Sequence, residues 1–164
     1  MGQFIQMLQD NTLLSAVIRL LLSAVLGGLI GTERAARGRA AGMRTHILVC
    51  IGAAMTALVG LYATDTMGLD SDPLRVSAQV ISGIGFLGGG MILVRGRTHI
   101  TGLTTAAGLW TTAAIGLAMG IGFYSAALIG AALVLVTNIV LPPLEQSRKP
   151  VSYTHLTLPT ILEV

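Results

Sequence analysis

Long apolar segments alternate with short polar segments along this chain. The apolar segments lie at about 12–31, 47–64, 76–94, 102–120 and 123–141. Each is close to the ~20 residues that a helix needs to cross a bilayer. Threonines lower the hydrophobicity of 102–120, so this segment could re-enter the membrane, but Trp110 and its alanine-rich run favour a packed span. The pattern predicts an all-α polytopic membrane protein, a bundle of about five transmembrane helices.

The composition supports a single membrane domain. Apolar residues make up 53% of the chain and charged residues 10%, whereas soluble domains carry about 25% charged residues. The 21 glycines suit membrane helices that pack closely. We assign 12–141 to a transmembrane domain and 142–164 to a C-terminal tail. The part 150–164 lacks helical periodicity and resembles non-native read-through, although a short interfacial tail is the alternative.

The loop 31–46 predicts the orientation of the chain, because it places four arginines between two apolar runs. Such loops stay in the cytoplasm. With five spans, the amino terminus is then periplasmic and the carboxyl terminus cytoplasmic. Eight of the ten basic residues fall inside: Arg34, Arg37, Arg39, Arg44, Arg95, Arg97, Arg148 and Lys149. The aspartates fall outside: Asp10, Asp65, Asp70 and Asp72.

Several functional classes are not expected. The basic residues lie at helix ends without interleaved aromatic residues, so no nucleic-acid partner is predicted. Cys50 lies in an apolar helix, where an inert packing role is expected. His46 is interpreted as an interfacial polar residue rather than a metal ligand. With no catalytic motif and only solvated aspartates, we expect no enzyme, no cofactor and no metal site.

Three polar groups interrupt the apolar pattern. Arg19 shares a helix face with Ser15 and Ser23, so it either faces protein or snorkels toward the membrane surface. Glu33 and Arg34 end the same helix; they either orient the chain and contact anionic lipid or form a basic vestibule for a partner or an anion.

The third polar group begins the third apolar segment. Arg75 and Gln79 are one helical turn apart, and with Ser82 they form a polar ridge that leads toward a run of glycines.

Small residues recur at intervals of four in most of the predicted helices, which predicts close helix packing. The segment 82–90 is extreme, with five glycines in nine residues. It is either a very close helix crossing or a hinge that lines a polar cavity. We favour packing, and therefore expect Gly85→Leu and Gly89→Leu to clash and Gly60→Leu to be milder.

Four motif blocks carry a family resemblance. They are Gly27-Gly-Leu-Ile-Gly-Thr-Glu-Arg34, Ala41-Gly-Met-Arg-Thr-His-Ile-Leu-Val49, Arg75-Val-Ser-Ala-Gln-Val-Ile-Ser-Gly-Ile-Gly-Phe-Leu-Gly-Gly-Gly90 and Gly102-Leu-Thr-Thr-Ala-Ala-Gly-Leu-Trp110. In this order they resemble the MgtC/SapB family of bacterial inner-membrane proteins. The resemblance implies a role in growth under magnesium limitation and, in pathogens, in survival inside host cells. Long members add a soluble cytoplasmic domain, which is not expected here: the sequence is either a short member or one in which the tail 150–164 has replaced a truncated end.

Two functions follow from this resemblance and from the residues. The first is a non-enzymatic regulator that binds another membrane protein in the lipid bilayer, with a homo-oligomer as a further alternative. The second is a transporter or channel for Mg²⁺ or another small ion. Candidate functional residues are Arg19, Glu33, Arg34, Arg44, Thr45, Arg75, Gln79, Thr104, Thr105 and Trp110. Candidate packing or hinge glycines are Gly27, Gly31, Gly83, Gly85, Gly88, Gly89, Gly90 and Gly102.

Overall fold

Five helices and one short hairpin make up the fold in a computed structural model, which describes residues 12–70, 72–95 and 99–146. The helices are α1 (Leu13–Ala36), α2 (Met43–Asp65), α3 (Arg75–Met91), α4 (Leu103–Gly120) and α5 (Tyr124–Gln146). Between α3 and α4, β1 (Leu93–Arg95) pairs antiparallel with β2 (His99–Thr101), with Val94 opposite Ile100. The prediction of an all-α bundle of five helices is confirmed.

Four of these helices are long and apolar enough to cross a membrane: α1, α2, α4 and α5. The doubtful fourth segment is thus a continuous helix of sufficient length. In contrast, α3 has 17 residues, or about 26 Å at ~1.5 Å per residue, which is less than the ~30 Å hydrocarbon core. Its predicted end at Val94 is wrong, because the backbone turns extended at Ile92 and enters the hairpin.

The end of α5 also differs from the expected boundary. The helix continues through Pro142 and Pro143 to Gln146, beyond the predicted end at residue 141. The remainder of the predicted tail, including 150–164, lies outside the described residues, as do Asp10, Arg97, Arg148 and Lys149. Among the described residues, the arginines of 34–44 lie at one end of the bundle. Asp65, Asp70 and Asp72 lie at the other end.

The core forms where α1, α2 and α4 meet. Ile30, Cys50 and Met119 are almost completely buried in one cluster, which extends to Ala127 of α5. The burial of Cys50 agrees with its expected packing role. A smaller cluster joins Ile84 of α3 to α2 and α4. Large apolar side chains on the outer faces remain exposed, as expected for surfaces that face lipid.

Glycines allow the closest helix contacts in this core. A Cβ atom built on Gly31 would lie 2.5 Å from Cα of Met43, and one built on Gly27 would lie 2.6 Å from the His46 carbonyl oxygen. On α4, Gly116 faces the Cys50 carbonyl equally closely. Gly102, with φ of +93°, turns the chain into α4 directly against the Met91 carbonyl. Gly27, Gly31 and Gly102 therefore lie where neighbouring backbones leave no room for a side chain.

The packing role predicted for the glycine run of α3 is mostly wrong. A Cβ atom on Gly83, Gly85, Gly89 or Gly90 would meet nothing within 4 Å, and one on Gly88 would make only an ordinary contact with Ala106. The helix is also unbroken from Arg75 to Met91, so the predicted hinge is not seen. The reason is that α3 buries one narrow face and turns these four glycines away from the described chain.

The mild effect expected at Gly60 is wrong as well. A Cβ atom there would collide with the carbonyl oxygen of Pro73. The loop after α2 folds back over this turn of the helix, so nearness to a helix end does not provide space.

These contacts predict an order of tolerance to larger side chains. Gly31→Leu and Gly116→Leu should each destabilise the protein by about 1–3 kcal/mol, since overpacking forces the neighbouring backbone to move. Gly89→Leu, with open space around it, should unfold like the wild type. Thermal unfolding in detergent, together with membrane abundance, measures the difference. Equal stability of all three variants would contradict the contacts described here.

Candidate functional site

A polar site lies at the arginine-rich end of the bundle, where α1 ends. Arg34 is 2% exposed and its Nε donates to Oε2 of Glu33 at 2.8 Å. Nε of Arg37 lies 2.6 Å from Oε1 of the same carboxylate; this approach is a charge contact rather than an aligned hydrogen bond. One carboxylate thus holds two guanidinium groups. We call Glu33, Arg34 and Arg37 the Glu33 cluster.

The Glu33 cluster also binds the last helix. Nη2 of Arg37 donates to the backbone oxygen of Ile139 at 3.3 Å. Four residues later stands Pro143, which has no N–H, so the Ile139 carbonyl lacks its usual donor within the helix. Arg37 supplies a replacement and joins the end of α1 to α5. The sequence analysis placed Arg37 only among the cytoplasmic basic residues and missed its contact with α5, although two adjacent prolines near a helix end are a signal that carbonyl groups need outside donors.

His46 lies behind this cluster in the first turn of α2. Its side chain is completely buried, and Nδ1 lies 2.9 Å from the Gly42 carbonyl oxygen. Nδ1 therefore carries the proton and donates, which leaves Nε2 as an acceptor. Nε2 has no hydrogen-bond partner among the described residues and points toward Gly108, where a Cβ atom would be 3.8 Å away. The predicted interfacial location is wrong, because α1 and α4 cover the imidazole.

Polar side chains of α4 and α5 complete the site. Asn138 is 8% exposed, and no hydrogen bond is described for its Nδ2. It lines a cavity of about 250 Å³ together with Thr104, Gly108 and Thr111. The sequence analysis also missed Asn138, although a single amide within the apolar run of the last helix was a usable signal.

Arg19 occupies a separate site nearer the opposite end. Its side chain is 1% exposed, so it faces protein and does not snorkel. Nη1 donates to the Gly120 carbonyl at 2.9 Å, and Nε donates to the hydroxyl of Tyr124 at 3.2 Å. A cation at the C-terminal end of α4 also complements the helix dipole. Arg19 therefore fastens α1 to the junction between α4 and α5.

The predicted functional residues do not form one site. Arg34 and Thr105 are buried, Glu33 and Thr45 are half-buried, and the exposed members are Arg44, Arg75, Gln79, Thr104 and Trp110. A buried guanidinium cannot contact the surface of a partner, so the partner-contact role predicted for Arg34 does not fit its position. Contact with the surface of a partner protein would have to come from the exposed residues.

The charge balance limits the chemistry of the arginine-rich end. The Glu33 cluster contains one carboxylate and two guanidinium groups, so it carries a net positive charge. Within residues 12–70, 72–95 and 99–146, no group of three or more His, Cys, Asp and Glu side chains could hold a metal ion. The site is suited to hydrogen bonding and to anionic groups.

The fold and this site define a polytopic α-helical membrane protein with a buried, positively charged cluster at one end. The model of the MgtC family matches residues 20–147, and the chain belongs to the MgtC family. The resemblance carried by the four motif blocks is thereby confirmed.

Two relatives illustrate the similarity. Over 124 residues the chain is 47% identical to a putative magnesium transporter, YhiD, of Escherichia coli. The aligned region covers 73% of this chain and 57% of YhiD. Over 122 residues it is 45% identical to the protein MgtC of Brucella abortus, which covers 74% of this chain and 49% of that relative. The chain thus spans about half the length of these relatives. No solved structure matches it.

Proposed function

We propose that this protein is a non-enzymatic regulator or accessory factor of the bacterial inner membrane that acts by binding another membrane protein. Family membership and the name of the relative YhiD support a link to growth under magnesium limitation. In pathogens, the same role would serve survival inside host cells. The observation that carries the proposal is the state of Glu33, whose carboxylate is already occupied by two arginines.

A transporter for Mg²⁺ would need oxygen ligands to replace the water that the ion loses. Among the described acidic side chains, Glu33 is the one that is mostly shielded by the helices. Asp65, Asp70 and Asp72 are exposed at the end of α2 and in the loop that follows it, opposite the arginine-rich end of the bundle. The net positive charge around Glu33 and the buried guanidinium of Arg19 would repel a divalent cation. Transport remains the second candidate, because YhiD is named a putative magnesium transporter.

Exposed polar residues support partner binding. Gln79 lies one turn inside α3 and faces away from the described chain. Exposing its amide group to lipid would be energetically costly unless a partner helix forms a hydrogen bond with it. Trp110 is 45% exposed on α4, and aromatic side chains of this kind are frequent anchors in protein interfaces. Arg44 is exposed at the start of α2. We propose these three side chains as partner contacts.

We also propose that the arginine-rich end faces the cytoplasm, with the amino terminus periplasmic and the carboxyl terminus cytoplasmic. The separation of arginines and aspartates to opposite ends of the bundle supports this orientation.

The partner contacts can be tested by growth. In a strain that lacks its own copy, Arg44→Gln and Gln79→Ala should abolish the support of growth in low magnesium while leaving membrane abundance unchanged, because neither side chain packs in the core. Arg39→Gln, also at an exposed arginine, is the matched control and should support growth fully. Normal growth with both variants would remove these residues from the proposed contact surface.

Ion flux separates the two candidate functions. Liposomes that contain only this protein should take up no more ²⁸Mg²⁺ tracer than protein-free liposomes if the protein is a regulator. Uptake above that background that is abolished by Gln79→Ala would establish the transporter instead.

A further inference from the structure

Two adjoining cavities lie between α4 and α5. The first, of about 250 Å³, lies at the arginine-rich end between Thr104 and Asn138. The second, of about 370 Å³, continues toward Ala118 and Ala126. Both are lined by Thr111, Leu133 and Val134, so they form one depression, which we call the α4–α5 groove. Thr104 to Ala118 spans about 21 Å of helix.

The walls of the α4–α5 groove change character along its length. Toward Ala118 they consist of small apolar residues, including Ala126 and Gly130, whose size leaves the space open. Toward the arginine-rich end they carry the hydroxyl groups of Thr104 and Thr137 and the amide of Asn138. A matching occupant is therefore long and apolar, with a polar group at one end.

The polar end presents donors and positive charge. Asn138 is more than nine-tenths buried, and its Nδ2 has no partner among the described residues; an unpaired buried donor is destabilising. The neighbouring Ile139 carbonyl is held by Arg37. The described contacts of Arg37 use Nε and Nη2, and the side chain is 30% exposed. Arg37 does not line either cavity, but it bonds the carbonyl that follows Asn138 in the chain, so its accessible charge lies close to the polar end of the groove. An anionic acceptor there meets both groups.

The size of the groove favours a single acyl chain over a helix. One acyl chain occupies half of the ~30 Å hydrocarbon core, which is shorter than the groove. The carbonyls of a partner helix are, in addition, already bonded within that helix.

We propose that the α4–α5 groove binds one acyl chain of an anionic phospholipid, whose phosphate or ester oxygens accept hydrogen bonds from Asn138 and lie beside Arg37. This inference is independent of the proposed regulatory function, since it concerns lipid and not the protein partner.

Native mass spectrometry of the full chain, purified in detergent and mixed with phosphatidylglycerol or phosphatidylcholine, tests the proposal. The wild type should retain phosphatidylglycerol in preference to phosphatidylcholine. Arg37→Gln should reduce that preference about fivefold, the effect of one basic residue on anionic lipid. Gly130→Leu should lower retention of both lipids, because its side chain fills the groove; a Cβ atom there makes only an ordinary contact with Ile115.

Two variants outside the groove serve as controls. Ala132→Leu places the same leucine side chain at an exposed position of α5, and Arg75→Gln removes an exposed arginine at the other end of the bundle. Both should bind lipid like the wild type. Circular dichroism and thermal unfolding verify that every variant is folded, and a folded Gly130→Ala replaces Gly130→Leu if the latter unfolds. Equal retention of the two lipids by the wild type, undiminished retention by the groove variants, or a dimer whose lipid-free interface includes the groove would overturn the proposal.

Discussion

Glu33→Ala should destabilise the protein by about 3–5 kcal/mol, the typical effect of removing one partner from a buried ion pair. The substitution leaves the guanidinium of Arg34 buried without its carboxylate and releases Arg37 beside it. Chemical unfolding in detergent measures the loss, and membrane abundance should fall with it. The sequence analysis named Glu33 only as a candidate functional residue; its contacts with Arg34 and Arg37 predict that a change there acts first on folding.

A double variant distinguishes the ion pair from a simple loss of packing. Glu33→Leu with Arg34→Leu removes both charges, so it should be more stable than Glu33→Ala, because no charge is left buried without a partner. Arg44→Gln, at an exposed arginine, should change the free energy of unfolding by less than about 0.5 kcal/mol. If Glu33→Ala were as stable as Arg44→Gln, the Glu33 cluster would have no structural role.

Arg19→Met should cost about 3–6 kcal/mol, because its hydrogen bonds to Gly120 and Tyr124 come from a charged donor and are lost at ~1.5–3 kcal/mol each. The carbonyl of Gly120 at the end of α4 would lose this donor inside the bundle. Methionine preserves most of the side-chain length, so the change reports mainly on the guanidinium. Thermal unfolding of the purified variant measures the loss.

Tyr124→Phe is the matched variant for this second prediction. It removes one acceptor of Arg19 and should cost about 1 kcal/mol. Since Arg19 and Tyr124 share a hydrogen bond, the double variant should be less destabilised than the sum of the single variants. Strict additivity would show that the bond between these side chains contributes nothing.

Periodicity in the sequence was sufficient to predict the helices and some of the faces that make close contacts. Ser15, Arg19, Ser23 and Gly27 share one face of α1 by their spacing alone, and the structure buries that face. The arginine-rich loop was predicted between the correct helices but with wrong bounds, because α1 continues to Ala36 and α2 already begins at Met43. These features depend on local geometry, which a single sequence contains.

Contacts between distant elements were beyond such reasoning. Both α3 and α4 are rich in glycine, but of these two helices only α4 places glycines, Gly116 and Gly120, against another helix backbone. Arg37 bonds Ile139, which is 102 positions away, and His46 is buried only because α1 and α4 cover it. Helix spacing identifies which residues share a face; it does not identify what that face meets.

The placement of α3 has a mechanical consequence. It is held at one end by Pro73 against Gly60 of α2, and at the other by the close approach of Gly102 to Met91. Between these two anchors lie five glycines, which give the backbone more conformational freedom than any other residue. The middle of α3 is supported by the packing of Ile84 against α2 and α4, so a load on its outer face should bend the helix at the glycines on either side of Ile84 rather than detach it from the core.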